Sequence, residues 1–154
     1  NYTGLKVPTF KEMLFECRKY NLVPLIDFNY ATTMAECELL LSVIKDMGME
    51  ESVVVILNSV EMAQYMRLLS DKVYILFLCH YLTEDNIYNT VGITNAGMSI
   101  IIDYLDGSTE ELLKLAHRLD LSVVVYPIDD ISIRDTVINL GFDTLVSNGI
   151  EFHY

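Results

Sequence analysis

Positive charge is scarce in this sequence: 10 Lys and Arg stand against 22 Asp and Glu in 154 residues, a formal net charge of -12. A surface of that sign repels a phosphate polyanion, which argues against nucleic acid as a partner. Long apolar runs are also missing. Val53 to Leu57, Val73 to Leu78 and Ser99 to Ile102 are each far shorter than the roughly 20 residues of a membrane span, so no span is expected. Cysteine is limited to Cys17, Cys37 and Cys79, without Cys-x-x-Cys spacing. That pattern signals neither a disulfide framework nor a zinc site, and the three are expected to be small buried hydrophobes. No basic stretch followed by an apolar segment opens the chain, so no signal peptide is visible, and the first residue, Asn1 rather than Met, leaves room for residues removed upstream. No glycine-rich phosphate loop or Gly-x-Gly-x-x-Gly follows an apolar run, and no Gly-x-Ser-x-Gly elbow occurs. The motif evidence for a dinucleotide-binding domain or an α/β-hydrolase is therefore absent.

What is present is a globular composition, 52% hydrophobic and 21% charged, consistent with a single domain over residues 1–154. Pro8 to Tyr20 places Phe10, Met13, Leu14 and Cys17 on one helical face behind a Thr9 N-cap, and Leu22 to Phe28 follows as a strand. Thr33 to Met47 reads as the next helix, with Leu39, Leu40, Val43 and Ile44 on one face and Gly48 as its stop, and Ser52 to Leu57 as a β-branched strand. The unit recurs. Helices over Val60 to Leu69, Thr83 to Asn89, Ser108 to Leu119 and Ile131 to Leu140 alternate with strands over Val73 to Cys79, Met98 to Tyr104, Ser122 to Tyr126 and Thr144 to Ser147. Ser108-Thr-Glu-Glu carries an N-cap pattern, and Gly141 stops the last helix. The strands are apolar without a period of two, as parallel strands covered by crossover helices are. The fold class is α/β, built of parallel (β/α) units.

In such folds the chemistry gathers at the C-terminal ends of the strands. Those ends offer Asp27 and Asn29, Asn58 and Ser59, His80 and Tyr81, Asp103 and Tyr104, Tyr126 with Asp129 and Asp130, and Ser147 and Asn148. Asp27 is the most informative, a lone carboxylate in the apolar run Leu25-Ile26-Asp27-Phe28. Buried there it would need a partner or a cation, as a metal ligand or general base, or it would cap the following helix. His80 could serve as acid, base or ligand, or be structural. His117 sits among Arg118, Glu110 and Glu111 on what reads as a solvated face, and His153 lies in the terminal tail. Asp129 and Asp130 follow Pro127, and an Asx N-cap for the helix at Ile131 accounts for at least one of them.

The stretch Gly4-Leu-Lys-Val-Pro-Thr-Phe-Lys-Glu-Met-Leu14, followed by Cys17-Arg-Lys-Tyr-Asn-Leu-Val-Pro-Leu-Ile-Asp-Phe-Asn29, resembles the glycerophosphodiester phosphodiesterase family. In that family a Pro-Thr-Phe-Glu-Glu helix precedes a strand reading Ile-Glu-Ile-Lys. The segment Ser122 to Ile150, with Val-Tyr-Pro-Ile-Asp-Asp and Leu-Gly-Phe-Asp-Thr-Leu-Val-Ser-Asn-Gly-Ile, is similar to the family's closing unit. The resemblance implies a (β/α)8 barrel in which a divalent cation, Ca²⁺ or Mg²⁺, and two histidines hydrolyse a glycerophosphodiester to glycerol 3-phosphate and an alcohol. It places Asp27 at the metal-binding Glu, Asn29 at the phosphate-holding Lys, and Tyr126 at the aromatic residue lining the pocket. The strand ends themselves add His80, Asp103 and Asp129 as pocket candidates.

Each carried-over position departs from the pattern. Asp27 is one methylene shorter than Glu, Asn29 lacks the charge of Lys, and Pro127 replaces Thr. The segment with the family's His-Arg-Gly strand, its Glu-x-Asp metal pair and its second catalytic His has no counterpart in residues 1–154. The resemblance supplies about six of eight strands, and the chain is about 100 residues short of a typical barrel. An open arc would expose two edges and an apolar interior, so the expectation is that an N-terminal segment or self-association completes it. The expected function is the C-terminal part of a metal-dependent phosphodiesterase-like barrel, inactive as this chain alone, with a small glycerophosphodiester or glycerol-phosphate ligand. The alternatives are a non-catalytic binding or assembly module, and an unrelated open α/β sheet with a small ligand at its switch point.

Overall fold

A computed structural model describes Gly4 and residues 6–28 and 33–149 of the chain. Two of its helices begin at capping boxes. In α1 (Phe10–Lys19) the Thr9 hydroxyl accepts from the Glu12 amide, and the Glu12 carboxylate accepts from the Thr9 amide at 2.8 Å. Thr33 and Glu36 repeat the arrangement at the start of α2 (Met34–Asp46), so backbone donors at each helix start have partners. The following helices are α3 (Val60–Leu69), α4 (Glu84–Val91), α5 (Thr109–Arg118) and α6 (Ile131–Leu140). Gly141 ends α6 at φ +101°, a left-handed conformation that costs glycine little.

Six strands alternate with these helices: β1 (Leu25–Asp27), β2 (Val54–Leu57), β3 (Tyr74–Leu78), β4 (Ala96–Ile101), β5 (Val123–Tyr126) and β6 (Thr144–Leu145). They form one parallel sheet in the order β1-β2-β3-β4-β5-β6. This is the expected α/β architecture, a curled partial barrel of TIM type. Alternation along each strand sends Ile26, Val55, Ile75, Phe77, Met98, Ile100, Val123 and Val125 beneath the helices, where all are buried. They divide into two clusters, one under α1 to α3 and one under α4 to α6. The opposite, concave face carries Leu25, Val54, Tyr74, Leu76, Ser122, Val124, Thr144 and Val146, which surround a space of about 210 Å³. That β1 and the segment through β6 line one small cavity shows how far the sheet has curled.

Several sequence expectations are corrected here. The strands are shorter than predicted, most of all β1, which loses Leu22 to Pro24. On α2 the buried face is Cys37, Leu40, Leu41 and Ile44, and Leu39 is 68% exposed. Ser108 makes no side-chain cap. Asp106 does that work, its carboxylate accepting from the Ser108 amide at 2.8 Å and the Ser108 hydroxyl at 2.6 Å. Cys37 and Cys79 are buried as expected, whereas Cys17 is half-buried. Among the described residues no helix is long and apolar enough to cross a membrane.

Candidate functional site

Because each helix runs antiparallel to its strands, the first turns of the helices crowd the strand C-termini and the last turns lie at the other end. The first turns carry Glu12, Glu36, Glu61, Glu84, Asp85, Glu110 and Glu111, and the last turns Arg18, Lys19, Lys45, Arg67 and Arg118. Each charge suits its own helix dipole. Together they make the strand C-terminal end acidic, whereas the opposite end mixes its cations with Asp46, Glu50, Glu51, Asp120 and Asp143.

Asp27 ends β1 and is exposed, not buried as its apolar neighbours suggested. With Ile26 under the helices, its side chain lies on the concave side, which at the edge of an open sheet is reached by water. Tyr126 ends β5 on the same side and is half-buried. Burial pushes its phenol pKa up, with Cys79 and then Asp27 adding to the effect, and strand alternation puts Asp27 and Tyr126 on the same concave side. Asn29 and His153 lie outside the described residues.

His80 follows Cys79 and is exposed, its ring edge-on to Tyr104 with centroids 6.3 Å apart. Asp103 sits in a 3-10 turn over Ile102–Tyr104 and not in the strand predicted for it. Asp129 is occupied: its carboxylate accepts from the Asn148 amide at 2.8 Å, Asn148 Nδ2 at 2.7 Å and the Ser147 hydroxyl at 3.2 Å. These bonds hold the Asp129 carboxyl below the usual carboxylate range and tie the loop after β5 to the chain after β6. Asp130 is the N-cap of α6, accepting from the Ser132 amide at 2.8 Å. Among the described residues no three His, Cys, Asp or Glu side chains converge to hold a metal ion. The residues present do not by themselves make the cation site that the resemblance implies.

The opposite end of the sheet holds what the sequence did not reveal. His117 is no freely solvated side chain: its Nε2 lies 3.1 Å from Asp143 Oδ2, which also accepts from the Val123 amide at 2.7 Å. Tyr74 and Ser122 share a hydrogen bond across Gly97. These groups line a cavity of about 610 Å³. It is the largest of the cavities described, yet it lies at the N-terminal face of the strands, where side chains of this architecture serve stability rather than chemistry. His80 and His117 therefore stand at opposite ends of the sheet and form no pair.

No protein-family profile and no curated protein matches this sequence. Solved structures do match the fold. A protein assigned as a glycerophosphodiester phosphodiesterase from Galdieria sulphuraria superposes with a TM-score of 0.80 at 21% identity, over 94% of this chain and 61% of that one. A glycerophosphodiester phosphodiesterase from Parabacteroides distasonis gives 0.77 at 18% identity, over 96% and 62%. An Oleispira antarctica phosphodiesterase, solved with sn-glycerol 3-phosphate, gives 0.79 at 14% identity, over 91% and 57%. The chain thus has the fold of these phosphodiesterases and spans about six tenths of their length.

Proposed function

We propose that this chain is the C-terminal part of a glycerophosphodiester-phosphodiesterase-like barrel that binds a glycerol-phosphate ligand at its strand C-termini and does not hydrolyse phosphodiesters on its own. The observation that carries the reading is the agreement in fold, over nearly the whole chain, with phosphodiesterases of which one holds glycerol 3-phosphate. Asp27 and Tyr126, on the concave side at the strand ends, would contact the ligand, Tyr126 as a pocket wall. Inactivity follows from the chemistry. In-line displacement at phosphorus needs a base for the nucleophile and an acid for the leaving oxygen, and the described histidines stand at opposite ends of the sheet.

A non-catalytic binding or assembly module is the second reading. It is favoured by the acidic strand-end face, where the carboxylates of the helix first turns outnumber Lys11 of α1 and Arg134 of α6 and an anion finds little positive charge beyond helix N-termini. In either case the open edges at β1 and β6 would be covered by further strands or by a second copy of the chain.

The test is hydrolysis of glycerophosphocholine by the chain with Ca²⁺ or Mg²⁺, alongside titration with sn-glycerol 3-phosphate. Binding without turnover is the expected result. Turnover that Asp27→Ala abolishes would overturn the inactivity, and absence of any binding would overturn the ligand.

A further inference from the structure

At the N-terminal face of the sheet, the last turn of one helix reaches forward to the next (β/α) unit. Arg18 of α1 donates to the Met47 carbonyl at the end of α2 at 2.9 Å, and Lys45 of α2 to the Leu69 carbonyl at the end of α3 at 2.9 Å. Arg67 of α3 donates to the Asn95 carbonyl before β4 at 3.0 Å, and its fork also holds the carbonyls of Ser70 and Val73. In α5 the imidazole of His117 meets Asp143 before β6. Between consecutive helices of the described residues the series breaks once, from α4 to α5. The last turn of α4 carries no basic residue. The position two before its C-cap, where Arg18, Lys45 and His117 stand in their helices, is Thr90, buried and bonded to the Asn86 carbonyl.

The cavity of about 610 Å³ lies at that break. Residues 93–96 after α4 and residues 119–122 after α5 wall it, the two loops that a forward-reaching cation of α4 would join. The α5 side is left with acceptors. The amides of Asp120 and Leu121 bond back to the carbonyls of His117 and Ala116, but the carbonyls of Leu119 and Asp120 and the Asp120 carboxylate receive no hydrogen bond from the described residues. Asp143 adds a second carboxylate, and the C-termini of α4 and α5 add the negative ends of their dipoles. No Lys or Arg lines the cavity. An anion placed there would meet like charge, and among the described residues no three metal-ligating side chains converge. A guanidinium group suits the space better. Its rigid fork of N–H donors serves several separated acceptors at once, as Arg67 serves three carbonyls. The cavity also has room for the alkyl chain that carries such a group.

We propose that this cavity binds an alkylguanidinium cation, which supplies from outside the contact between α4 and α5 that the chain does not make itself. The site goes beyond the phosphodiester reading, lies at the other end of the sheet, and stands whether or not the chain binds glycerol 3-phosphate. Its test is titration of the isotope-labelled 154-residue chain with butylguanidinium, its neutral isostere butylurea, and butylammonium, reading backbone amide resonances. Butylguanidinium binds about 10-fold tighter than butylurea, the size of one charge-assisted hydrogen bond. It also binds tighter than butylammonium, which has the charge without the fork, and it moves the amides of residues 93–96 and 119–122. Asp120→Asn keeps a residue that tolerates the left-handed backbone at φ +58° and weakens the binding several-fold. Val91→Arg, at a residue lining the cavity, supplies the group within the chain and removes the response to butylguanidinium. Circular dichroism reports whether each variant is folded, and Asp120→Asn decides if Val91→Arg is not. Equal affinity for butylguanidinium and either other compound overturns the site, as do unaltered binding in Asp120→Asn and shifts confined to the strand C-terminal end. The N-acetylarginine amide separates two sources of the group: tighter binding than butylguanidinium assigns an arginine of a polypeptide, and weaker binding a free small guanidine, either of which supports the site.

Discussion

Replacing Gly97 by alanine tests the packing of the concave face directly. The new Cβ would sit 2.6 Å from Ser122 Oγ and 3.0 Å from the Ser122 carbonyl oxygen, and closer still to the Tyr74 hydroxyl. None of these yields cheaply: the carbonyl is backbone, the serine side chain is short, and the tyrosine hydroxyl is the end of a rigid ring. Forcing a methyl group into such a space costs about 1–3 kcal/mol. At about 2–4 °C per kcal/mol for a chain of this size, Tm falls by roughly 2–12 °C. Urea unfolding followed by circular dichroism measures the cost, first in the native sequence and then in a Tyr74→Phe background. Tyr74→Phe alone forfeits the hydrogen bond to Ser122, about 1 kcal/mol, but takes away the hydroxyl that the methyl group strikes. Gly97→Ala should therefore cost at least about 0.5 kcal/mol less in that background, a coupling expected of neighbours and not of independent sites. Identical costs in the two backgrounds, or a neutral Gly97→Ala, would refute the arrangement.

Two further outcomes are expected. Burial pushes the Cys79 thiol up to about 12 and raises that of Cys37, so in the native state at pH 8 a thiol reagent should label half-buried Cys17 well ahead of both, with all three labelled in urea; labelling of Cys79 at the rate of Cys17 would contradict its placement. The folded-state pKa of Asp129 lies below its ordinary value of 3.8, so its hold on Asn148 is fully present above that value and is lost as pH falls through the lower folded one. Hydrogen exchange of the Asn148 amide should accelerate over that acid range, relative to other amides, and Asp129→Asn should level the transition; an unchanged profile in the variant would count against the contact.

Every α-helix and strand was legible in the sequence, the helices from apolar faces of period 3.6 and β2, β3 and β5 from dense runs of β-branched, leucine and aromatic residues. Their limits were less so. Pairing decides where a strand starts, and β1 has β2 as its one partner in the sheet, so Leu22 and Val23 continue the apolar run outside the ladder and Pro24 enters it only through its carbonyl, which accepts from the Val54 amide at 3.0 Å. In α2 the triplet Leu39-Leu40-Leu41 leaves the phase of the buried face ambiguous until a neighbouring helix chooses it. Asp27 was read as buried because apolar residues flank it, but that inference assumes a sheet covered on both sides. The partial curl leaves the concave side of an edge strand open. The His117–Asp143 contact joins residues 26 positions apart, for which no local spacing rule exists. His80 and Tyr104 were both placed at strand ends, yet nothing in the sequence brings two loops together.

The strictly sequential strand order bears on how such a chain acquires its structure. Paired residues are 20 to 29 positions apart, from Val54 with Tyr74 to Leu25 with Val54, so each ladder closes a loop of similar and modest length. Closure entropy rises only by about 0.6 kcal/mol for each doubling of a loop. Joining a first strand to a last across a complete barrel lengthens the loop about eightfold, three doublings, and adds roughly 2 kcal/mol. The six strands present escape that final step entirely. They can assemble one unit after another in the order of synthesis, with the most demanding contact of the architecture left to whatever meets their two edges.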